Sequence, residues 1–191
     1  MNQYEQDILD PPKLWSRSEV LNQKPCPVPQ ESGIYAWYFR QIPAIVPIQD
    51  CHRYNDLTLL YVGIAPSKPA SSNNLRNRIK EHFQSNAFGS TLRLSLGCLL
   101  AKKLDIELWR VGSGKRITFG AGEAKLSNWM GQNAFVVWTL YTEPWLLEEK
   151  LIQSLSLPLN LRGNEHHSFY QQLSKIRSQV KERARKLPIV D

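Results

Sequence analysis

Apolar and polar positions along the chain mark short segments of strand and helix length. Residues 33–39, 57–63 and 134–141 are apolar runs of strand length, rich in aromatic and β-branched side chains. Apolar residues recur at helical spacing in three further segments, 75–83, 90–104 and 144–155. This order predicts an α/β (α+β) fold with a central, mainly antiparallel sheet of about three strands flanked by helices.

The remaining segments predict how the chain is organised around that sheet. Residues 1–30 hold five prolines and read as an N-terminal arm, irregular except for a short helix near 14–22. Residues 31–162 form the main domain, in which 86–133 is an insertion with a hairpin around "GSG" and a short helix. Residues 163–191 form a basic C-terminal helical tail.

The charge distribution points to a polyanionic partner. The net charge is +7, with nine basic against four acidic residues in 51–110 and seven against three in 161–191. DNA or RNA is the obvious partner for two such blocks. Charge alone leaves open an ordinary basic protein that binds nothing charged.

Several classes of protein are disfavoured by the sequence. No apolar run approaches the roughly 20 residues of a membrane-spanning helix, and the acidic N-terminus lacks the apolar stretch of a signal peptide. The three cysteines are odd in number and far apart, which argues against a disulfide scaffold or a cysteine-ligated zinc site. We therefore expect a cytoplasmic protein with no membrane association.

Two helices carry polar residues where chemistry is plausible. On the helix near 144–155, Glu148 falls in the middle of the apolar stripe, whereas Glu149 falls at its edge. A carboxylate in an apolar face is costly unless it is paired or binds a metal, so a salt bridge to a nearby arginine stays open as an alternative. On the helix 75–83, Arg78 and His82 are four residues apart and therefore share a face. Arg78 could bind a phosphate and His82 could transfer a proton. Alternatively, the two residues form a solvated flank of the helix.

The ordered set of these residues resembles the GIY-YIG endonuclease family. The matching stretches are "GIY" with Tyr35, "YVG" with Tyr61, "LRNRIKEH" with Arg78 and His82, "LLEEKLI" with Glu148, and "LPLN" with Asn160. The family's spacing between the glutamate and the following isoleucine fits Glu148 and not Glu149. The helical periodicity, which places Glu148 in the middle of the apolar stripe, favours the same residue. The chain departs from the family pattern in a longer link between the tyrosine motifs and in the large 86–133 insertion.

The resemblance implies a divalent-metal-dependent DNA endonuclease. One Mg²⁺ (or Mn²⁺) per site would be held by Glu148, and a water would attack the phosphodiester in line. Tyr35 would be the general base, Tyr61 would orient water or phosphate, and Arg78 would stabilise the charge on the phosphate. His82 would support Tyr35 or accept its proton, and these two alternatives stay open. Asn160 would hold its turn or position Tyr61.

Paired antiparallel, the two tyrosine strands would project Tyr35 and Tyr61 to one surface, so we expect Tyr35 to lie outside the core. Lys68, in the loop after Tyr61, is a further candidate for phosphate contact, although a solvated lysine is commoner. The predicted nucleic-acid contacts are Lys68, Arg76, Lys80, Lys175, Arg177, Lys181, Arg183 and Arg185. The "EHH" stretch at 165–167 is disfavoured as a metal site, because adjacent histidines on a helix do not converge.

Substrate form and assembly are left open by the sequence. The DNA could be intact, branched or damaged, and the protein a monomer or a homodimer. A catalytically inactive nucleic-acid-binding module of the same fold is the alternative to an enzyme, and a protein-interaction scaffold is a third reading.

Overall fold

Three long strands form the centre of one antiparallel sheet. They are β2 (Gly33–Phe39), β4 (Leu57–Ala65) and β7 (Ala134–Leu140) in a computed structural model that describes residues 2–190. Two-residue strands, β1 (Trp15–Ser16) and β3 (Arg53–Tyr54), lie at the edges, giving the order β1-β7-β2-β4-β3. The antiparallel pairing is as predicted, but the count of about three strands was wrong, since the sheet has five. A two-residue strand is too short to show alternation in the sequence.

Helices cover both faces of the sheet. They are α1 (Gln3–Leu9), α2 (Arg17–Asn22), α3 (Leu75–Gln84), α4 (Thr91–Leu104), α5 (Gly122–Asn133), α6 (Pro144–Ser154) and α7 (Tyr170–Lys186). Side chains of α1 and α6 pack with Ile34, Ala36 and Tyr38 of β2 in one cluster. The other five helices pack on the opposite face, around Trp37 and Phe39. Every residue of β2 is therefore buried. Within residues 2–190, no helix is both long and apolar enough to cross a bilayer.

The N-terminal arm contains more regular structure than its prolines predict. α1 begins with a capping box in which Asn2 and Glu5 exchange side-chain-to-backbone hydrogen bonds, and its Ile8 is fully buried. β1 and α2 follow, so the arm contributes an edge strand and two helices. Met1 lies outside the described residues.

The insertion adds a helical layer to the domain core. α4 and α5 contribute buried leucines to the cluster around Trp37. Between them, β5 (Trp109–Val111) and β6 (Arg116–Thr118) pair as the predicted hairpin. Gly97 of α4 lies against the Phe119 ring, which a Cβ at this position would meet at 2.1 Å. The 86–133 segment is thus part of the packed domain.

The basic C-terminal helix also packs on the domain. The helix begins only at Tyr170 within the predicted tail 163–191, because residues 164–169 form hydrogen-bonded turns. Leu173 and Ala184 are fully buried in the same core cluster, and α7 lies against α4 and β5. The boundaries at residues 30 and 162 stay predictions.

Candidate active site

The two tyrosine motifs meet across a pair of neighbouring strands. Tyr35 lies opposite Gly63, and Trp37 lies opposite Tyr61, so both tyrosines point to one face as expected. Gly63 makes room for Tyr35, because a Cβ at Gly63 would lie 2.5 Å from the Tyr35 hydroxyl. The glycine of the second motif is therefore needed to seat the tyrosine of the first.

Tyr35 itself is a core residue, contrary to the prediction. Its side chain is 1% exposed, because α3 covers that face of β2. Tyr35 nevertheless lines a pocket. Burial raises the pKa of the Tyr35 phenol well above its usual value, Tyr61 adds to the rise, and Arg78 opposes it.

A chain of buried hydrogen bonds runs behind Tyr35. The Tyr35 hydroxyl lies 2.7 Å from Nε2 of His82, and Nδ1 of His82 lies 2.6 Å from the Ser90 hydroxyl. Burial lowers the pKa of His82 well below its usual value, with Arg78 and Arg93 acting in the same direction. A neutral imidazole has one donor and one acceptor nitrogen, so in either tautomer His82 links the two hydroxyls.

Arg78 reaches the pocket from α3. Its Nη1 donates to the Gly89 carbonyl at 2.8 Å and to Glu81 at 2.5 Å. These bonds fix one side of the guanidinium, and Arg78 also interacts with the Tyr35 hydroxyl. A guanidinium has five N–H donors, so Arg78 can still donate to an anion in the pocket.

Glu148 reaches the pocket from α6, which packs on the opposite face of the sheet. The carboxylate is half-buried and forms no hydrogen bond or ion pair with any described residue. Burial raises the pKa of Glu148 to about 7, against the effects of Arg162 and Arg78. The salt-bridge alternative therefore has no direct partner here, and Glu149 is the more exposed of the two carboxylates.

Asn160 fastens the free edge of β4 beside Tyr61. Its side chain accepts from the Val62 backbone N–H and donates to the Val62 carbonyl, both at 2.9 Å. The neighbouring Leu159 N–H donates to the Leu60 carbonyl at 3.1 Å. These three bonds flank Tyr61 on both sides in the chain. Asn160 can therefore position Tyr61 through the backbone of its strand neighbours, although the two side chains are not hydrogen-bonded to each other.

These side chains converge on one pocket of about 730 Å³. Of the predicted site residues, those that line it are Tyr35, Tyr61, Arg78, Glu148, Asn160 and Arg177. His82 lies one hydrogen bond behind the wall. The pocket also borders Thr91, Trp145, Glu149 and Arg162.

The donor set fits a hard divalent cation. Glu148 offers an unpartnered carboxylate, and the nearby hydroxyls of Tyr35 and Tyr61 are also oxygen donors, as Mg²⁺ and Mn²⁺ prefer. Residues 2–190 contain no cluster of three or more His, Cys, Asp or Glu side chains with the geometry of a metal site. A single carboxylate leaves room in the coordination shell for waters and phosphate oxygens.

Other predicted contact residues lie outside this pocket. Arg76 donates to the Val28 carbonyl at 2.7 Å and ties the arm to α3, and Lys80 borders a separate groove. Arg183 pairs with Glu107 at 2.8 Å. Lys68, Lys175 and Arg185 are exposed, and Lys181 is half-buried near Arg177. Their contacts with nucleic acid stay predictions.

The histidine pair after Asn164 has a structural arrangement. Nε2 of His167 lies 3.0 Å from the Ser156 hydroxyl, and its Nδ1 accepts from the Phe169 N–H at 3.1 Å. Both nitrogens of His167 are thus used to fold the turn before α7.

Several residues that line or support the pocket are not predicted from the sequence. They are Glu81, Ser90, Thr91 and Arg162, and the entry of Arg177 into the pocket was also missed. Ser90 had a local signal, because it precedes a helical pattern and caps α4 by accepting from the Arg93 N–H. The others had none, because their roles arise from contacts between distant segments.

A buried tyrosine pair, a guanidinium and a half-buried carboxylate around one pocket suit the binding and hydrolysis of a phosphodiester, which is the reaction of a nuclease. The family model of the GIY-YIG catalytic domain matches residues 33–179 of this chain. The chain therefore belongs to the GIY-YIG family, a family of nucleases, as its motifs predicted. No curated protein and no solved structure shows a significant match to it.

Proposed function

We propose that this protein is a divalent-metal-dependent endonuclease that hydrolyses DNA phosphodiester bonds. The observation that carries the proposal is the convergence of Tyr35, Arg78 and Glu148 on one pocket from three separate elements. The net charge of +7 supports a polyanionic substrate. We place its action in the cytoplasm, on intact, branched or damaged DNA, as a monomer or a homodimer.

Tyr35 is the proposed general base. Tyr35 lines the pocket and its hydroxyl meets His82, so a proton taken from water has a path inward. The raised pKa of the phenol opposes this step in the free protein, and Arg78 is the resident positive charge that favours the phenolate. His82 holds the Tyr35 hydroxyl in place and, as a neutral imidazole, can accept or donate this hydrogen bond.

Arg78 and Tyr61 are the proposed phosphate-orienting groups. The Arg78 guanidinium can donate to non-bridging phosphate oxygens as negative charge builds on them. The Tyr61 hydroxyl lies beside the Thr91 hydroxyl, at 3.4 Å, on the same wall. Asn160 keeps this wall in register through the Val62 backbone.

Glu148 is the proposed ligand for Mg²⁺ or Mn²⁺. When bound, such an ion would polarise the phosphate and neutralise charge on it during hydrolysis. Glu148 itself is held by the packing of Leu147 and Leu151 beneath it, which fixes where its carboxylate enters the pocket. The lack of a protein partner leaves that carboxylate available to a cation.

Plasmid cleavage tests the proposal. Supercoiled DNA, a branched duplex and a duplex with an abasic site are incubated with the protein and Mg²⁺, Mn²⁺ or EDTA. Metal-dependent nicking is expected for the wild type and is expected to be lost in Glu148→Gln. The adjacent Glu149→Gln variant is the matched control and should keep most of the activity, because Glu149 also borders the pocket but is the exposed one of the two carboxylates.

Three outcomes would contradict the proposal. Cleavage by Glu148→Gln at the wild-type rate would remove the assigned metal ligand. Salt-sensitive DNA binding without turnover on any of the three substrates would indicate a catalytically inactive binding module instead. Absence of DNA binding even at low salt would indicate a protein-interaction scaffold.

A further inference from the structure

Arg177 of α7 lines the same pocket as the motif residues Tyr35, Tyr61 and Arg78. Its Nη1 donates to the Ser95 hydroxyl at 3.2 Å, and Ser95 is fully buried on α4. The guanidinium is thus held in place by the neighbouring helix and lines the pocket together with Tyr61 and Thr91. The GIY-YIG motif pattern quoted above includes no residue at this position.

The charge of Arg177 is not matched by any acidic side chain in the described part of the chain. A guanidinium has five N–H donors, and the Ser95 hydroxyl uses one of them without offering a negative charge. By contrast, the buried Arg93 pairs with Glu123 at 2.6 Å, and Arg183 of α7 pairs with Glu107 at 2.8 Å. Burial lowers the pKa of Arg177, so holding this charge is costly to the free protein.

Arg177 and Arg78 approach the same hydroxyl from different elements. Each lies close enough to Tyr61 to interact electrostatically with its phenol, Arg78 from α3 and Arg177 from α7. An anion bound at Tyr61 would therefore meet two guanidiniums. Glu148 also interacts with the Tyr61 phenol, and both Arg162 and Arg78 interact with Glu148.

We propose that Arg177 binds the substrate phosphate at Tyr61, donating its free N–H groups to non-bridging oxygens together with Arg78. This inference rests on the proposed function, because it concerns the substrate of the same site. It assigns a catalytic residue to α7, so that the C-terminal helix is part of the active site in addition to any general attraction for DNA. A planar fork that makes two hydrogen bonds to one phosphate suits this position better than a lysine.

The proposal is tested with Arg177→Met, which keeps an apolar stem and removes the charge, and with Arg177→Lys. The matched control is Arg53→Met, which removes the same charge from an exposed position on β3. First, thermal melting of metal-free protein is followed in inorganic phosphate against chloride at equal ionic strength. Phosphate should raise the Tm of the wild type and of Arg53→Met, and should not raise the Tm of Arg177→Met.

A second measurement addresses catalysis at saturating DNA. Loss of one preorganised donor to a reacting phosphate should lower the single-turnover rate of Arg177→Met about 10- to 100-fold, with a smaller loss in Arg177→Lys. Arg53→Met should stay within about twofold of the wild type, as is usual for a distant surface charge. The Tm of Arg177→Met without phosphate should equal or exceed that of the wild type, because an uncompensated charge has been removed.

Three results would overturn the inference: phosphate stabilisation of Arg177→Met equal to that of the wild type, an unchanged cleavage rate, or a large fall in its Tm, which would indicate a structural role. Failure of the proposed function would look different. The wild type itself would then show no cleavage, while the melting experiment would still decide whether Arg177 binds phosphate.

Discussion

Tyr35 is a buried residue that also lines the pocket. Its ring packs beneath α3, and its hydroxyl lies 2.7 Å from Nε2 of His82. This arrangement excludes water from the ring and leaves one direction for proton transfer. It also means that packing and chemistry can be separated by removing only the hydroxyl.

Tyr35→Phe should abolish most cleavage and leave the fold intact. The change keeps the ring and removes the proposed base, so we expect a loss of about 100-fold or more in single-turnover rate. The lost hydrogen bond to His82 should cost about 1 kcal/mol in the free energy of unfolding.

Tyr38→Phe is the matched control for that experiment. The Tyr38 hydroxyl is also buried and donates to the Ile8 carbonyl at 2.7 Å, but on the opposite face of β2. It should lose similar stability and keep its cleavage rate. Equal cleavage rates in the two variants would show that the Tyr35 hydroxyl is not the general base and that Tyr35 only packs in the core.

Glu148 should make the metal-free protein less stable as pH rises. The pKa of this carboxyl is about 7 in the folded protein against an ordinary 4.5, because burial disfavours its charge. Between these values the unfolded chain releases a proton that the folded protein retains, so the free energy of unfolding falls as pH rises from about 4.5 to 7. Above pH 7 the cost is fully present, at about 3 kcal/mol or less.

Glu148→Gln should therefore stabilise the metal-free protein at pH 8 and have little effect at pH 5. Urea unfolding at the two pH values in EDTA measures the difference, with Glu149→Gln as the control that should be neutral at both. Added Mg²⁺ should stabilise the wild type at pH 8 and leave Glu148→Gln unchanged. Equal stability of Glu148→Gln and wild type at both pH values would contradict the burial of this carboxyl.

At the scale of elements, the site depends on how neighbouring segments hold β4. β3 covers only its first residues, so the edge beside Tyr61 is closed by the turn at Leu159 and Asn160. On the other side, Gly63 allows Tyr35 of β2 to cross over the strand. A short turn and a missing side chain thus set the position of both tyrosines.

Asn160→Ala should reduce both stability and cleavage. It leaves the buried N–H and carbonyl of Val62 without their side-chain partner, which should cost about 1–3 kcal/mol. It also frees the backbone next to Tyr61, so we expect the cleavage rate to fall about 10-fold at a temperature where the variant is folded.

Asn133→Ala provides the comparison for Asn160. Asn133 is likewise buried and donates to the Trp129 carbonyl at 2.9 Å, but at the end of α5. It should lose stability without a comparable loss of cleavage by the folded protein. If the two variants lost activity in proportion to stability alone, the positioning role of Asn160 would be excluded.

At the scale of the whole molecule, α7 joins the core to the pocket. Leu173 and Ala184 are buried among residues of the insertion, and Arg110 of β5 donates to the carbonyls of Ala184 and Leu187. The matched family region ends at residue 179, inside this helix. A C-terminal tail that was independent of the domain would make none of these contacts with its core.

Deletion of residues 170–191 should therefore unfold the protein. Removing Leu173 and the half-buried Ile176 and Val180 forfeits about 4 kcal/mol or more of apolar burial, a large share of a typical domain's stability. Circular dichroism and thermal melting of the truncated chain measure this effect. A truncated chain that melts like the wild type would support the tail interpretation.

A charge-only variant separates the two roles of α7. Replacing exposed Lys175 and Arg185 with glutamine should leave the Tm unchanged and reduce the slope of log affinity for DNA against log salt by about 2. An unchanged slope would show that neither residue contacts phosphate.

The sequence by itself determined the family, the candidate residues of the site and the local elements that carry them. The motif order predicted Tyr35, Tyr61, Arg78, His82, Glu148 and Asn160. Local periodicity located the long strands and most helices, and it placed Glu148 in the apolar stripe of α6. Such features are local, because neighbouring positions set which face of a helix or strand is buried.

Only the tertiary structure decided how these residues work together. Tyr35 and His82 are 47 positions apart, Val62 and Asn160 are 98 apart, and Ser95 and Arg177 are 82 apart. Pairs so distant leave no periodic signal, because loop paths and packing bring them together. The same reason explains the two short edge strands, the buried Tyr35 ring and the entry of α7 into the pocket.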